Sequence, residues 1–288
     1  MLTRREFAKH SALLAAAGLF SNAALETAAD ARVPRGYRLV WRDEFSRRGR
    51  PNPKNWTYEH GFVRNQELQW YQPQNAFCRE GRLIIAARRQ RVRNPNYQPG
   101  SNNWQTNRRF ADYTSASLTT SGLHSWKYGY FEMRGRINTH PGIWPAWWTL
   151  GTQKSWPACG EIDIMEYYQG HDNANVAWQN PNGSAHWVSV FTPLAKFHDR
   201  RWSRQFHRWA MHWTHDFIRL YLDGQLMNHV NLNNTVDGQI RGYNPFHHPV
   251  YMILNLAIGS TGGNPAHTRF PALFEVDYVR VYQQRNRG

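Results

Sequence analysis

Apolar and polar residues alternate with a period of two in short runs along most of the chain: YRLVWRDEF, GRLIIAAR, YTSASLTTSG, YGYFEMRGRI, EIDIMEYY, NVAWQN, HWVSVF, FHRWAMHWT, FIRLYLDGQLMNHVNL, VYMILNLAIG and FEVDYVRVYQ. That period puts successive side chains on opposite faces, so each run reads as a strand with one face in a core. Turn residues separate most of the runs, and Asp223-Gly224 between FIRLYL and QLMNHV marks a tight hairpin. No long amphipathic helix interrupts the series. Many strands with little helix predict an all-β fold, a jelly-roll sandwich of two antiparallel sheets filled by alternating inward residues. One domain over residues 35–285 is the economical reading, and 288 residues with 41% hydrophobic content can bury one sizeable core. The Asn-, Pro-, Gly- and Arg-rich stretch from Gln90 to Asp112 reads as a long surface loop.

The run GEIDIMEYYQ, Gly160 to Gln169, breaks the alternation in an informative way. Glu161 and Asp163 share one face while Ile162 and Ile164 point into the core. In a regular strand Glu166 would join the isoleucines, where an unpaired carboxylate costs several kcal/mol or gives up its charge. A β-bulge with Met165 as the extra residue restores the parity and sets all three acids in a row; bulges are over-represented beside active sites. The Cα atoms of Glu161 and Glu166 then stand roughly 13–16 Å apart, and two side chains leaning inward close most of that gap. Paired carboxyl groups about 5–5.5 Å apart serve a retaining glycosidase, one as nucleophile and the other as general acid and then base.

Composition brings in a second theme. The chain holds 14 Trp, 14 Tyr and 14 Phe beside 35 Lys and Arg, with a net charge of +15. Nucleic-acid binders gather their basic residues on one face or helix, whereas here they are scattered, denser only at Arg88–Arg93 and Arg108–Arg109. Sugar stacking is the better account of the aromatics, and the charge suits adhesion to acidic surfaces or polysaccharides. Trp144, Trp147 and Trp148 fall within PGIWPAWWTLG just upstream of the acids; on alternation Trp144 and Trp148 share a face and Trp147 takes the other. An indole ring suits the C–H face of a pyranose as well as a core.

The first 31 residues read as an address. Arg4 and Arg5 precede the apolar SALLAAAGLF, and Ala29-Asp30-Ala31 fits a cleavage site, with Ser21-Asn22-Ala23 as a competitor. The segment resembles a twin-arginine export signal, which places the mature chain in the periplasm or outside the cell. Its apolar run is well under the roughly 20 residues of a spanning helix, and no later run is long enough, so no stable membrane insertion is expected. Cys78 and Cys159 are the two cysteines, and an oxidising compartment permits a bridge between them without requiring it. The 14 histidines show no His-Glu-Xaa-Xaa-His spacing, and no serine sits in a Gly-Xaa-Ser-Xaa-Gly elbow.

Taken together, GIWPAWWTLG, GEIDIMEYY, MILNLAIG and EVDYVRVYQ resemble family 16 of the glycoside hydrolases, most closely its bacterial laminarinases and mixed-linkage β-glucanases. The similarity runs from the DEF segment at Asp43 to Tyr282. It implies a concanavalin-like β-jelly roll with a substrate cleft across its concave sheet. Carried over by position, it makes Glu161 the nucleophile, Glu166 the acid/base and Asp163 the group that tunes the nucleophile. Close negative neighbours fit that division, because they raise one pKa and keep one carboxyl protonated while another is ionised. Trp144, Trp148 and Asn255 match positions around the cleft, and Glu67 lies in the stretch beside its non-reducing end. NVAWQN departs from the histidine-bearing strand usual after the acids and puts Trp178 in that neighbourhood, which bears on the substrate.

The resemblance further implies no cofactor for catalysis, a structural calcium at Glu44, Gly81 and Asp277, and a monomer that meets β-glucan and no nucleic acid. The expected activity is endo-hydrolysis of β-1,3- or β-1,3-1,4-glucan through a covalent glycosyl-enzyme. An agarase or carrageenase of the same family, and a non-catalytic glucan-binding lectin on the same sandwich, are the rival readings.

Overall fold

The computed structural model describes residues 33–285; the leader at 1–31 lies outside them. Seventeen strands follow in order: β1 (Tyr37–Asp43), β2 (Thr57–Tyr58), β3 (Gln69–Tyr71), β4 (Ala76–Arg79), β5 (Arg82–Arg93), β6 (Phe110–Ser115), β7 (Ser117–Thr119), β8 (Gly129–Ile137) and β9 (Ile143–Gly151) make the first half. The second half holds β10 (Glu161–Tyr168), β11 (His171–Gln179), β12 (Ala185–Pro193), β13 (His207–Trp213), β14 (Phe217–Leu222), β15 (Gln225–Asn231), β16 (Val250–Ile258) and β17 (Ala272–Gln284). Among the described residues the helices are short 3-10 turns, and none is long and apolar enough to cross a membrane.

The strands form two sheets, as the alternation predicts. One has ten strands, with the path β15-β14-β13-β8-β17-β5-β6-β3, β1 added on β17 and β4 on β5. The other has seven, in the order β12-β11-β10-β9-β16-β7-β2. Pairing is antiparallel except between β3 and β6, which run parallel over three residue pairs. The hairpin at Asp223-Gly224 forms as its dipeptide predicts: Leu222 faces Gln225, and the turn residues have φ of 47° and 89°, as a type I′ turn needs.

One core fills the space between the sheets. Ile162, Ile164, Trp147, Val176 and Leu254 of the smaller sheet share it with Phe131, Met133, Trp209, Met211 and Val281 of the larger, all buried. Burying such side chains is worth about 1.5–3 kcal/mol each, and this drives the alternating runs to pair face to face. The other face of the seven-stranded sheet carries the acids.

One expectation about connections changes. The predicted loop shortens to residues 94–109, because β5 runs on to Arg93 and β6 starts at Phe110. Cys78 and Cys159 are free and buried. Burial pushes the Cys78 thiol up to about 12 and the Cys159 thiol up to about 11, with Asp43 and Glu161 adding to the respective shifts. At neutral pH neither is a thiolate nucleophile.

Candidate active site

The bulge in β10 exists, and its register locates it. Asp163 faces Asn175 and Glu166 faces Asn173, so three steps along β10 match two along β11. On the other side Asp163 faces Trp148 while Met165 faces Trp147. The residue without a partner on β9 is therefore Ile164 rather than Met165, and both side chains enter the core. Glu161, Asp163 and Glu166 emerge on the opposite face, each no more than 3% exposed.

Neighbouring strands supply the donors that such buried carboxylates require. Trp144 of β9 donates its indole N–H to Glu166 Oε1 at 2.9 Å. Asn175 of β11 donates from Nδ2 to Glu166 Oε2 at 3.0 Å and lies 3.4 Å from Asp163 Oδ2, so one amide spans two of the three acids. Trp156, in the loop that leads into β10, donates Nε1–H to Glu161 Oε2 at 2.6 Å. Each oxygen of Glu166 accepts one such bond.

A second cluster builds the end of the face toward β7 and β3. Trp148 Nε1 donates to Asn255 Oδ1 at 2.7 Å, and Asn255 Nδ2 donates to the Tyr71 hydroxyl at 3.1 Å. The Arg64 guanidinium lies over the Trp148 ring, 5.0 Å from its centroid, and is ion-paired with Glu59. Glu59 Oε2 also accepts from the Ser117 hydroxyl at 2.6 Å. Glu67 is buried, with Gln69 Nε2 at 2.6 Å from Oε2 and Asn65 Nδ2 at 3.3 Å from Oε1. Burial raises its carboxyl above the usual range, against the pull of Arg64. The same burial, reinforced by Glu67, lifts Tyr71 well above an ordinary phenol.

The sequence-derived candidates therefore fall into three groups. Glu161, Asp163, Glu166, Trp144, Trp148, Asn255 and Glu67 share the acidic face and its end wall. Trp144 and Trp148 are only 3% and 6% exposed, and the Arg64 guanidinium covers one face of the Trp148 ring. Trp178 does not belong to the site. Pairing sets Ala177 opposite Glu161, so Trp178 turns to the other face of β11, into the core, 6.3 Å from Phe246 in ring centroids.

Both acids expected at a structural calcium carry arginine partners. Glu44 receives both Nε and Nη2 of Arg280 at 2.8 Å, and Asp277 binds Arg134 at 2.5 Å. Gly81 sits in the turn between β4 and β5. Among the described residues no group of three His, Cys, Asp or Glu side chains could hold a metal ion. Carboxylates already neutralised by arginine do not fit a hard cation, which needs several unshared oxygens.

Sequence reasoning missed Trp156, Asn175, Arg64 and Tyr71. Asn175 was within reach, since it shares β11's alternation with Ala177. The others arrive from loops or from a strand distant in sequence.

Close carboxyl groups on one sheet of a jelly-roll sandwich are the equipment of an enzyme that cleaves glycosidic bonds. Residues 66–280 match the Glycosyl hydrolases family 16. Over 268 residues the chain is 34% identical to a β-glucanase of Rhodothermus marinus, an alignment covering 86% of this chain and 85% of that protein. Its fold is similar to that of SCLam, a non-specific endo-β-1,3(4)-glucanase, with a TM-score of 0.73, 32% identity and coverage of 89% and 95%. It is also similar, at a TM-score of 0.80, 32% identity and coverage of 88% and 93%, to a structure reported with endo-acting O-glycanases by which members of the human gut microbiota initiate mucin breakdown. The chain belongs to family 16 of the glycoside hydrolases.

Proposed function

We propose that the chain is an endo-acting, retaining β-1,3- or β-1,3-1,4-glucanase. In the first step Glu161 attacks the anomeric carbon while Glu166 gives its proton to the departing glycosidic oxygen. In the second, Glu166 takes a proton from water, and that water attacks the same carbon and releases Glu161. Asp163, between them in the row, positions and tunes Glu161. The observation that carries this reading is the single amide of Asn175 reaching both Asp163 and Glu166, because it requires the bulge to have brought these carboxylates close together.

The β-glucanase and endo-β-1,3(4)-glucanase relatives support the substrate class. Likeness to a structure reported with O-glycanases that initiate mucin breakdown brings mucin O-glycans into the same assay. Export through the leader at residues 1–31 is part of the proposal and rests on Arg4-Arg5 and the apolar run behind them. Incubation with laminarin, barley mixed-linkage glucan, agarose, carrageenan and mucin O-glycans, with product sizing and proton NMR of the first anomer, tests the reading. Internal cuts in either glucan with release of the β-anomer are expected. Action on the galactans or O-glycans alone overturns the substrate, and release of the α-anomer overturns the mechanism.

A further inference from the structure

The segment from Glu59 to Tyr71 has two sides, and the acidic face uses one. Tyr71 and Gln69 of β3 turn inward: Tyr71 meets Asn255, and Gln69 Oε1 accepts the backbone N–H of Ile258 at 2.7 Å. Trp70 lies between them in sequence and so points the opposite way, where it is half-buried. Two concavities meet at Trp70 and Pro95. One, of about 550 Å³, includes His60, Asn96, Tyr97, Gln98 and Thr106; the other, of about 540 Å³, adds Gln72 and Arg93.

This hollow has a fixed shape. Trp70 packs edge-on against Phe62, 5.3 Å between centroids, and a side chain on Gly61 would come within 3.1 Å of the Trp70 ring. The facing loop is organised by buried Asn94, whose Nδ2 donates to the carbonyls of Gln105 and Arg108, each at 2.9 Å. Two staples fasten it to the cleft wall: Gln105 Nε2 to Phe62 O at 2.7 Å, and Arg108 Nη2 to Glu67 O at 2.8 Å.

We propose that the hollow around Trp70 is a second β-glucan-binding site, backed against the end wall of the catalytic face and separate from it. Its lining combines aromatic rings with amide and hydroxyl groups, Asn96, Gln98, Thr106 and Gln72, and no carboxylate lines either half. Ring surface for C–H faces and planar amides for hydroxyl pairs suit a neutral polysaccharide. Arg93 is the one arginine in it, too few for a phosphate backbone. A polymer held here raises its own effective concentration at the cleft, whereas a short oligosaccharide gains nothing.

The inference rests on the glucanase reading, so the test separates the two. Trp70→Ala and Tyr97→Ala, each made with Glu161→Gln to prevent hydrolysis, are run by native electrophoresis through laminarin and mixed-linkage glucan gels. Short β-1,3-gluco-oligosaccharides are added to occupy the cleft. The same substitutions in the active enzyme are assayed on laminarin and on laminaritetraose. Retardation is expected to weaken about 5- to 10-fold in both variants, and laminarin KM to rise, while kcat/KM on laminaritetraose stays within twofold. Wild-type-like retardation in Tyr97→Ala and in folded Trp70→Ala overturns the second site, as does an equal loss on laminaritetraose. A parent enzyme that neither binds nor cuts either glucan overturns the glucanase reading itself.

Discussion

Trp156 donates its indole N–H to Glu161 Oε2 across 2.6 Å, yet Trp156 is 37% exposed while Glu161 is 2% exposed. A surface indole thus holds a buried carboxylate in one orientation. Hydrogen bonds to charged groups contribute about 1.5–3 kcal/mol. Trp156→Phe keeps most of the ring and removes the donor, so kcat/KM on glucan should fall about 10- to 100-fold. Steady-state kinetics checks this, and an unaltered kcat/KM would show that the contact does not act on Glu161 in the reaction.

The acid pair itself is tested by chemistry that separates its members. Glu161→Gln and Glu166→Gln should each lower polysaccharide hydrolysis by several orders of magnitude with folding retained. With an activated aryl glycoside and added azide, the Glu166→Gln variant should recover turnover and yield a β-glycosyl azide, since azide replaces the activated water of the second step. The Glu161→Gln variant lacks the covalent intermediate and should give no β-azide. Near-normal hydrolysis by Glu166→Gln would remove it from the acid/base role.

Much of this site could be read from the sequence, because strand parity is a local property. The alternation of Ile162 and Ile164 with Glu161 and Asp163 demands a bulge before Glu166, and the parity of Trp144, Trp147 and Trp148 places them correctly. Trp178 was misplaced although its parity was countable. Tyr168 faces His171 across Gln169-Gly170, and that hairpin with one bulge brings Ala177 opposite Glu161. Trp156 and Arg64 were out of reach, since no period governs a loop. The arginine partners of Glu44 and Asp277 could not be read either, because Arg280 and Arg134 meet them through the pairing of the larger sheet.

Those two ion pairs lead to a simple outcome. Added calcium or EDTA should leave Tm unchanged within about 1 °C, because a cation would first have to displace Arg280 from Glu44 and Arg134 from Asp277. Calorimetric scans with each additive check this. A calcium-dependent rise of several degrees would mean that the arginines yield to the metal.

Asp172 supplies the pH dependence of stability. It lies in β11, fully inside the core, and accepts Trp209 Nε1–H from the opposite sheet at 3.0 Å. Burial pushes its carboxyl up to about 7, against the Trp209 hydrogen bond and nearby His207. An unfolded aspartate titrates near 3.9, so between about pH 4 and 7 the folded chain binds a proton that the unfolded chain has released. Stability from this group is therefore complete at low pH and declines as pH rises through that window. His207 slopes the same way: burial opposes its charge, but Asp223, hydrogen-bonded at 2.6 Å, the Trp202 carbonyl and Asp172 raise it above an ordinary histidine. Its contribution is present below the unfolded value and is lost as pH rises through the folded one. Asp172→Asn keeps an oxygen for Trp209 and removes the buried charge. The variant's Tm should match wild type near pH 4 and exceed it by several degrees at pH 8, since about 1 kcal/mol moves Tm by roughly 2–4 °C in a chain of this size. Thermal scans at unit pH steps measure that gap, and a gap that stays constant or narrows with rising pH would show that Asp172 does not titrate in the core.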